Sequence, residues 1–458
     1  MQKDKRETML ANEAMPKLIM KMSMPAIMGM IVMSLYNFVD AVFVGMIGTQ
    51  ALGAATIGYP FFMLVIAMGM TFGIGGASYL SRLLGEQDKD QADRVTSTVI
   101  FSAIALGVVF SVAAVLLSGT IAKLYGAKGS ITPMATEYIR MLSYGALFPI
   151  MAMTINNLLR AEGSAMQGML GMAVGAILNI ALDPIFIFVL GMGIKGAALA
   201  TVIAQAVSAA VLLGYYLRKK TVTKLSMKLV TFSWGIYSEV IKIGLPVFLR
   251  QLLTSVALAL LNNVAGDYGD KVVAAIGAIN RFVMVGFAVV MGFGQGLQPI
   301  IGYNYGAKRF DRVKESILHT ALYTTGICII YSLISAFAPA TLAGVFSNDA
   351  AVIEVIAKGI SLMGWAWPAL GIFIVISTLF QAMGKGLQAA FLALARQGVF
   401  LIVFVYTLPP LMGLDGVLFA QPLANILTTA LGVILSVPIF KALSTTLSTS
   451  QIIEQTVE

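Results

Sequence analysis

Apolar runs dominate the chain, and polar residues gather in short stretches between them. Runs of ~20 or more apolar residues, the length an α-helix needs to cross hydrocarbon, recur about twelve times. They predict spanning helices near 17–44, 51–80, 94–118, 133–158, 167–190 and 195–217, then near 237–265, 273–303, 314–342, 353–382, 388–412 and 415–440. Several of these are long enough to require tilt or a kink. The expected organisation is an all-α integral membrane protein with an N-terminal segment 1–16, a first lobe 17–217, a linker 218–236, a second lobe 237–440 and a tail 441–458.

A repeat constrains the arrangement further. Pro25 aligns with Pro246, Gly73 and Gly75 with Gly294 and Gly296, Gly85 with Gly306, Asp90 with Asp311, Gly163 with Gly384 and Gln167 with Gln388, all at an offset of 221 residues. Single glycine matches are common by chance, but one offset held over most of each half marks a duplication. Six helices per half is an even number, so the halves enter the membrane in the same sense. They form parallel repeats, a plan used by alternating-access carriers.

Composition agrees with the membrane setting: 59% of 458 residues are hydrophobic, 11% are charged, and the mean hydropathy is +0.89. The net charge of +9 resides in clusters between apolar runs, which read as orientation signals and not as a nucleic-acid surface. Most Lys and Arg fall in the N-terminal segment, the even-numbered loops and the tail, while the opposite loops hold Lys123, Lys128, Lys195, Lys271 and Lys358. Both termini are therefore expected on the cytoplasmic side of a bacterial inner membrane, without a cleavable signal peptide. One cysteine and one histidine leave no material for a disulfide, a thiolate or histidine metal site, or a Ser-His-Asp triad. Gly191 to Gly196 satisfies GxGxxG, but it lies in a loop between spans with no strand before it, and no other enzyme or ATP-binding motif is present. No enzyme activity and no cofactor are expected.

Asp40 and Asp183 are the exceptions to an acid-poor interior. An ionisable group at bilayer depth is costly and marks an ion or substrate pathway. Tyr36 and Asp40, Asn179 and Asp183, and Thr201 and Gln205 are each four residues apart, so each pair shares a helix face, and Asn37 lies in the sector of Asp40. Carboxylate, amide and hydroxyl oxygens suit a small hard cation or a shared proton. Two neighbouring carboxylates disfavour joint ionisation, so one can load and release a proton. The offset sets Leu261, Phe400 and Phe404 opposite Asp40, Asn179 and Asp183, so the ion step is expected in the first lobe only. Arg250 and Arg281 in the second lobe read as locally paired or snorkelling side chains, with a cationic role in a cavity as the alternative. Pro25, fifteen residues before Asp40, is a candidate hinge.

The stretches MPAIMGMIVMSLYNFVDAVFVG and LNIALDPIFIFVLGMGIKGAALATVIAQ, with the 6 + 6 duplication, resemble the multidrug and toxic compound extrusion (MATE) transporters, in particular the DinF-like and MepA-like branch. The resemblance extends from about Lys17 to Lys441. It implies two six-helix lobes in a V around a central cavity that rock between inward and outward states. It also implies a cation or proton site of Asp40, Asn179, Asp183 and Thr201, with Tyr36, Asn156 and Tyr138 as its polar surroundings and Pro25 as the bend of the first helix. These four residues would ligate a metal only if Na+ is the coupling ion. The NorM-like branch has acids in its seventh and tenth helices, whereas here PVFLRQLLTS and PALGIFIVIS contain none, which argues against a sodium site in the second lobe.

The expected function is a secondary antiporter, acting as a monomer, that exports drugs and organic, often cationic, compounds in exchange for H+ or Na+. The 27 methionines and 25 phenylalanines suit a cavity that repacks around varied amphipathic cations. A lipid-linked saccharide flippase of the same superfamily is the alternative.

Overall fold

The structure, a computed structural model, describes residues 2–457, with side chains described for 6–269 and 271–443. Among the described residues eleven helices are long and apolar enough to span a membrane, and a bent pair makes up to twelve. The first half comprises α1 (Gln2–Asn12), α2 (Met15–Ile47), α3 (Thr49–Gly85), α4 (Lys89–Leu124), α5 (Ile131–Tyr144), α6 (Leu147–Ala161), α7 (Ala165–Pro184) and α8 (Ile194–Leu217). The second comprises α9 (Trp234–Gly266), α10 (Asp270–Gly306), α11 (Phe310–Phe337), α12 (Pro339–Gly344), α13 (Ala350–Ala382), α14 (Gly386–Leu394), α15 (Leu401–Thr407), α16 (Pro409–Met412) and α17 (Leu414–Val457). Strands are absent among the described residues.

Departures from the sequence-based elements have local causes. The span expected at 133–158 is α5 and α6, bent by 49°. Pro149 has no N–H to offer Gly145 O and its ring crowds that carbonyl, which accepts from Phe148 N at 3.0 Å instead, while the Leu147 amide, in the first turn of α6, donates to Ser111 Oγ at 3.1 Å. The span expected at 314–342 stops at Phe337, because Pro339 opens the short α12. The segment 1–16 contains α1 and the tail 441–458 continues α17. By contrast α2 runs through Pro25 without interruption.

The chain groups into two compact units, one of residues 1–12 and 28–248, the other of 13–27 and 249–458. The divisions therefore fall inside α2 and α9, at Met28 and Leu249, which are 221 residues apart and each three residues past the matching Pro25 or Pro246. The lobes read from the sequence, 17–217 and 237–440, place these boundaries in loops instead. In the first unit the core gathers Phe61, Val65, Ile139 and Ile150 of α3, α5 and α6. The second is centred on Ile356, Trp367, Leu379 and Phe380 of α13, with Leu297 of α10, Cys328 of α11 and Ala420 of α17.

The stretch 218–236 is no free tether, because the first unit holds it. Glu162, capping α6 and 1% exposed, accepts from Val222 N at 2.8 Å, Tyr216 Oη at 2.9 Å and Thr223 Oγ1. Asp93 Oδ1 accepts from Lys224 N at 2.7 Å, and Thr98 Oγ1 from Thr231 N at 3.2 Å. Burial pushes the Glu162 carboxyl up from 4.5 to about 7, against the pull of its hydrogen bonds and of Arg6. The folded chain thus holds a proton that the unfolded chain has already released between these values, so stability falls as pH rises from about 4.5 to about 7 and this group adds no further change above. Thermal unfolding of the purified protein should follow that slope, with an amplitude on the order of 2 to 3 kcal/mol. Glu162→Gln should flatten it; an unchanged slope would show that other groups set it.

Candidate functional site

The Asp183 neighbourhood is built by two helices in close contact. A Cβ on Gly175 of α7 would lie 2.8 Å from Ser208 Cβ of α8, an approach that only a small residue permits. It brings Asn179 against Thr201. Asn179 Nδ2 donates to Asp183 Oδ1 at 3.2 Å and to Thr201 Oγ1 at 3.4 Å, while Thr201 Oγ1 donates to Ala197 O at 3.1 Å. Asp183 is fully buried, Asn179 nearly so, and Thr201 mostly so. Pro184 has no N–H for the helix ladder, and the next turn, Ile185–Val189, widens to π geometry, a distortion that recurs at functional sites.

From α2, the Asp40 carboxyl comes within electrostatic reach of the Asp183 carboxyl. Asp40 Oδ1, Asp183 Oδ2 and Asn179 Oδ1 are buried without a protein partner. A buried oxygen with no donor is expensive, so three together mark a place for a proton or cation. Tyr36 and Tyr138, both buried, lie within electrostatic reach of both acids.

Beside the acids is a cavity walled by α2, α3, α6, α7 and α8. Tyr36, Asn179, Thr201 and Gln205 line it together with Met33, Met153 and Met172. Asp183, one turn past Asn179, is buried behind that wall. The other sequence-nominated residues do not line the cavity. Asn37 Nδ2 donates back to Met33 O at 2.8 Å within its own helix, and Tyr138 packs its ring on Gly58 of α3. Asn156, 2% exposed, faces Gly168 of α7 and does not line the cavity. Pro25 is outside the site, in the part of α2 that groups with the second unit. Two neighbours escaped the sequence reading. Ser208 lines the cavity seven residues after Thr201, a helical spacing that could have found it, and Tyr59 reaches Tyr36 from α3, for which no local pattern exists. Among the described residues no three of His, Cys, Asp and Glu gather, so any cation here would rest on two carboxylates with neutral oxygens.

The sequence model of the MatE family matches residues 25–185 and again 246–407, one copy in each half. The chain belongs to the MATE family. Multidrug export protein MepA of Staphylococcus aureus (strain MRSA252) is 29% identical over 440 residues, 96% of each chain. A multidrug resistance MATE family transporter of the MOP superfamily, solved in an outward-facing conformation, is 28% identical with a TM-score of 0.90 over 95% of this chain and 98% of that one. A MATE structure in complex with MaL6 has the same identity and TM-score, covering 96% of this chain and 99% of that one. This MATE protein is thus a multi-pass membrane transporter from a family of multidrug exporters, not an enzyme.

Proposed function

We propose that this protein is a secondary antiporter of a bacterial inner membrane that exports organic, often cationic, compounds in exchange for H+ or Na+ by alternating access. The observation that carries the reading is the pairing of the Asp40 and Asp183 carboxyls within electrostatic reach beside a cavity, with one buried oxygen on each of them and on Asn179 left without a partner. Two carboxylates that close repel unless a proton or cation lies between them, and a proton that one of them holds removes the repulsion outright. Na+ would find Asn179 Oδ1 and Thr201 Oγ1 as further hard ligands. Release of the ion restores the repulsion, so the conformation that holds the two carboxyls together is favoured with the ion and disfavoured without it, the differential affinity that coupling requires. The cavity's methionines and Tyr36 supply adaptable apolar and aromatic contacts to a cationic drug.

Cytoplasmic termini are supported by the charge pattern, since Lys195, Lys271 and Lys358 on the lysine-poor side are each paired, with Glu137, Asp349 and Asp415. The test is reconstitution of the full chain into liposomes carrying ethidium, with pH and sodium gradients imposed one at a time. The pH gradient alone is expected to drive ethidium flux. Flux that responds to neither gradient would remove the antiport reading.

A further inference from the structure

The repeat relates the cavity of the first unit to a differently equipped place in the second. Gly29, Ile66, Ala152 and Gly175 all line the cavity of the first unit. At the constant offset of 221 residues their counterparts are Arg250, Phe287, Phe373 and Arg396. Two glycines have become arginines, and two small or aliphatic residues have become phenylalanines.

These four side chains come together in the second unit. The Arg396 guanidinium stands 4.9 Å from the ring centroid of Phe373 and 5.6 Å from that of Phe287. Arg396 lies in a π turn, Ala395–Phe400, whose Gly398 abuts Leu253 of α9. Arg250 of the same α9 is within electrostatic reach of Arg396, and its Nε is buried without a hydrogen-bond partner. Among the described residues no carboxylate lies within 4.0 Å of either guanidinium. Arg281, in contrast, is exposed. Local pairing therefore does not account for Arg250, a half-buried side chain whose Nε is sealed off without an acceptor.

Two like charges held together at membrane depth with an orphaned donor are costly unless a counter-charge completes them. Ring faces offset part of that cost for Arg396 but supply no acceptor for Arg250. A planar guanidinium fork matches the oxygens of a carboxylate, sulfonate or phosphate, and flanking phenylalanines suit an aromatic or acyl body. We propose that Arg250 and Arg396, with Phe287 and Phe373, form a binding site for an amphipathic organic anion in the second unit. The site widens the substrate range of the transport reading to anionic or zwitterionic compounds, and its test reads binding, so it stands or falls apart from antiport.

The full chain, purified in a neutral detergent, is titrated with dansylglycine, an aromatic carboxylate, and with its uncharged methyl ester. Saturable binding of the acid is expected, roughly ten- to hundredfold tighter than the ester, the range for a charge-assisted hydrogen bond. Arg250→Gln and Arg396→Gln should each weaken acid binding over the same range, with binding of the ester unchanged. Because a half-buried arginine can be needed for folding, Arg396→Lys serves as a second variant, retaining the charge but losing the fork, with an intermediate loss expected. Competition by phosphatidylglycerol but not phosphatidylcholine would make a lipid headgroup the occupant, and no competition a soluble anion; both keep the site. Equal affinity for acid and ester, the absence of saturable acid binding, or wild-type affinity in the double Gln variant would overturn the proposal.

Discussion

Asp183→Asn is expected to abolish gradient-driven export while the protein stays folded, with flux at the level of empty liposomes and an unchanged elution profile. The amide has the size of the carboxyl and keeps an oxygen to accept from Asn179 Nδ2, so the contact at 3.2 Å survives. What is lost is the change of charge. A ligand moves a conformational equilibrium only through its differential affinity for the two states, and going from 1:99 to 99:1 takes about a 10⁴-fold difference. With one carboxylate, proton loading no longer relieves a repulsion, and most of that difference disappears. Asp40→Asn should have the same effect for the same reason. Because the pair acts as one site, the double variant should be no worse than either single one. Proteoliposome flux under an imposed pH gradient decides it. Retained export in both single variants, or a double variant far below the singles, would mean that the two acids act separately.

How much of this was legible follows from the range over which each feature is encoded. Spacing along a single helix put Asn179 with Asp183 and Thr201 with Gln205, and both pairs are in place at the site. Spacing could not show that α2 delivers Asp40 to Asp183, because helix rotation and crossing are set by packing. It also could not show that Asn37, in the same sector, satisfies its amide on its own helix. The bend after Tyr144 rests on Ser111, more than thirty residues away, taking up the Leu147 amide. Likewise the sequence marks 218–236 only as a linker and cannot show that Glu162 and Asp93 capture its backbone N–H groups. The duplication was visible as an offset. Its structural meaning, that α2 and α9 each divide between units at equivalent positions, needed contacts.

Those divided helices lead to the largest stability effect. The first part of α9 packs on α3 within the first unit at backbone range: a Cβ on Gly75 would stand 2.2 Å from Val240 O, and one on Gly244 2.2 Å from Thr71 O. Each helix offers a glycine to the carbonyl of the other, the small-residue packing that lets membrane helices approach without polar side chains. A backbone oxygen cannot rotate away as a side chain can, so Gly75→Ala must push the helices apart and uncover the contacts of Ile74 with Ile243 and Val247. The expected cost is about 1 to 3 kcal/mol, read as a lower thermal unfolding temperature in detergent. Gly214→Ala in α8, where nothing lies within 4 Å, should instead be neutral or gain up to about 1 kcal/mol from helix propensity. Gly244→Ala should match Gly75→Ala. Once one substitution has separated the helices, the second meets less resistance, so the double variant should lose less than the sum. Full additivity, or a Gly75→Ala protein as stable as wild type, would show that α3 and the first part of α9 do not hold each other at backbone contact.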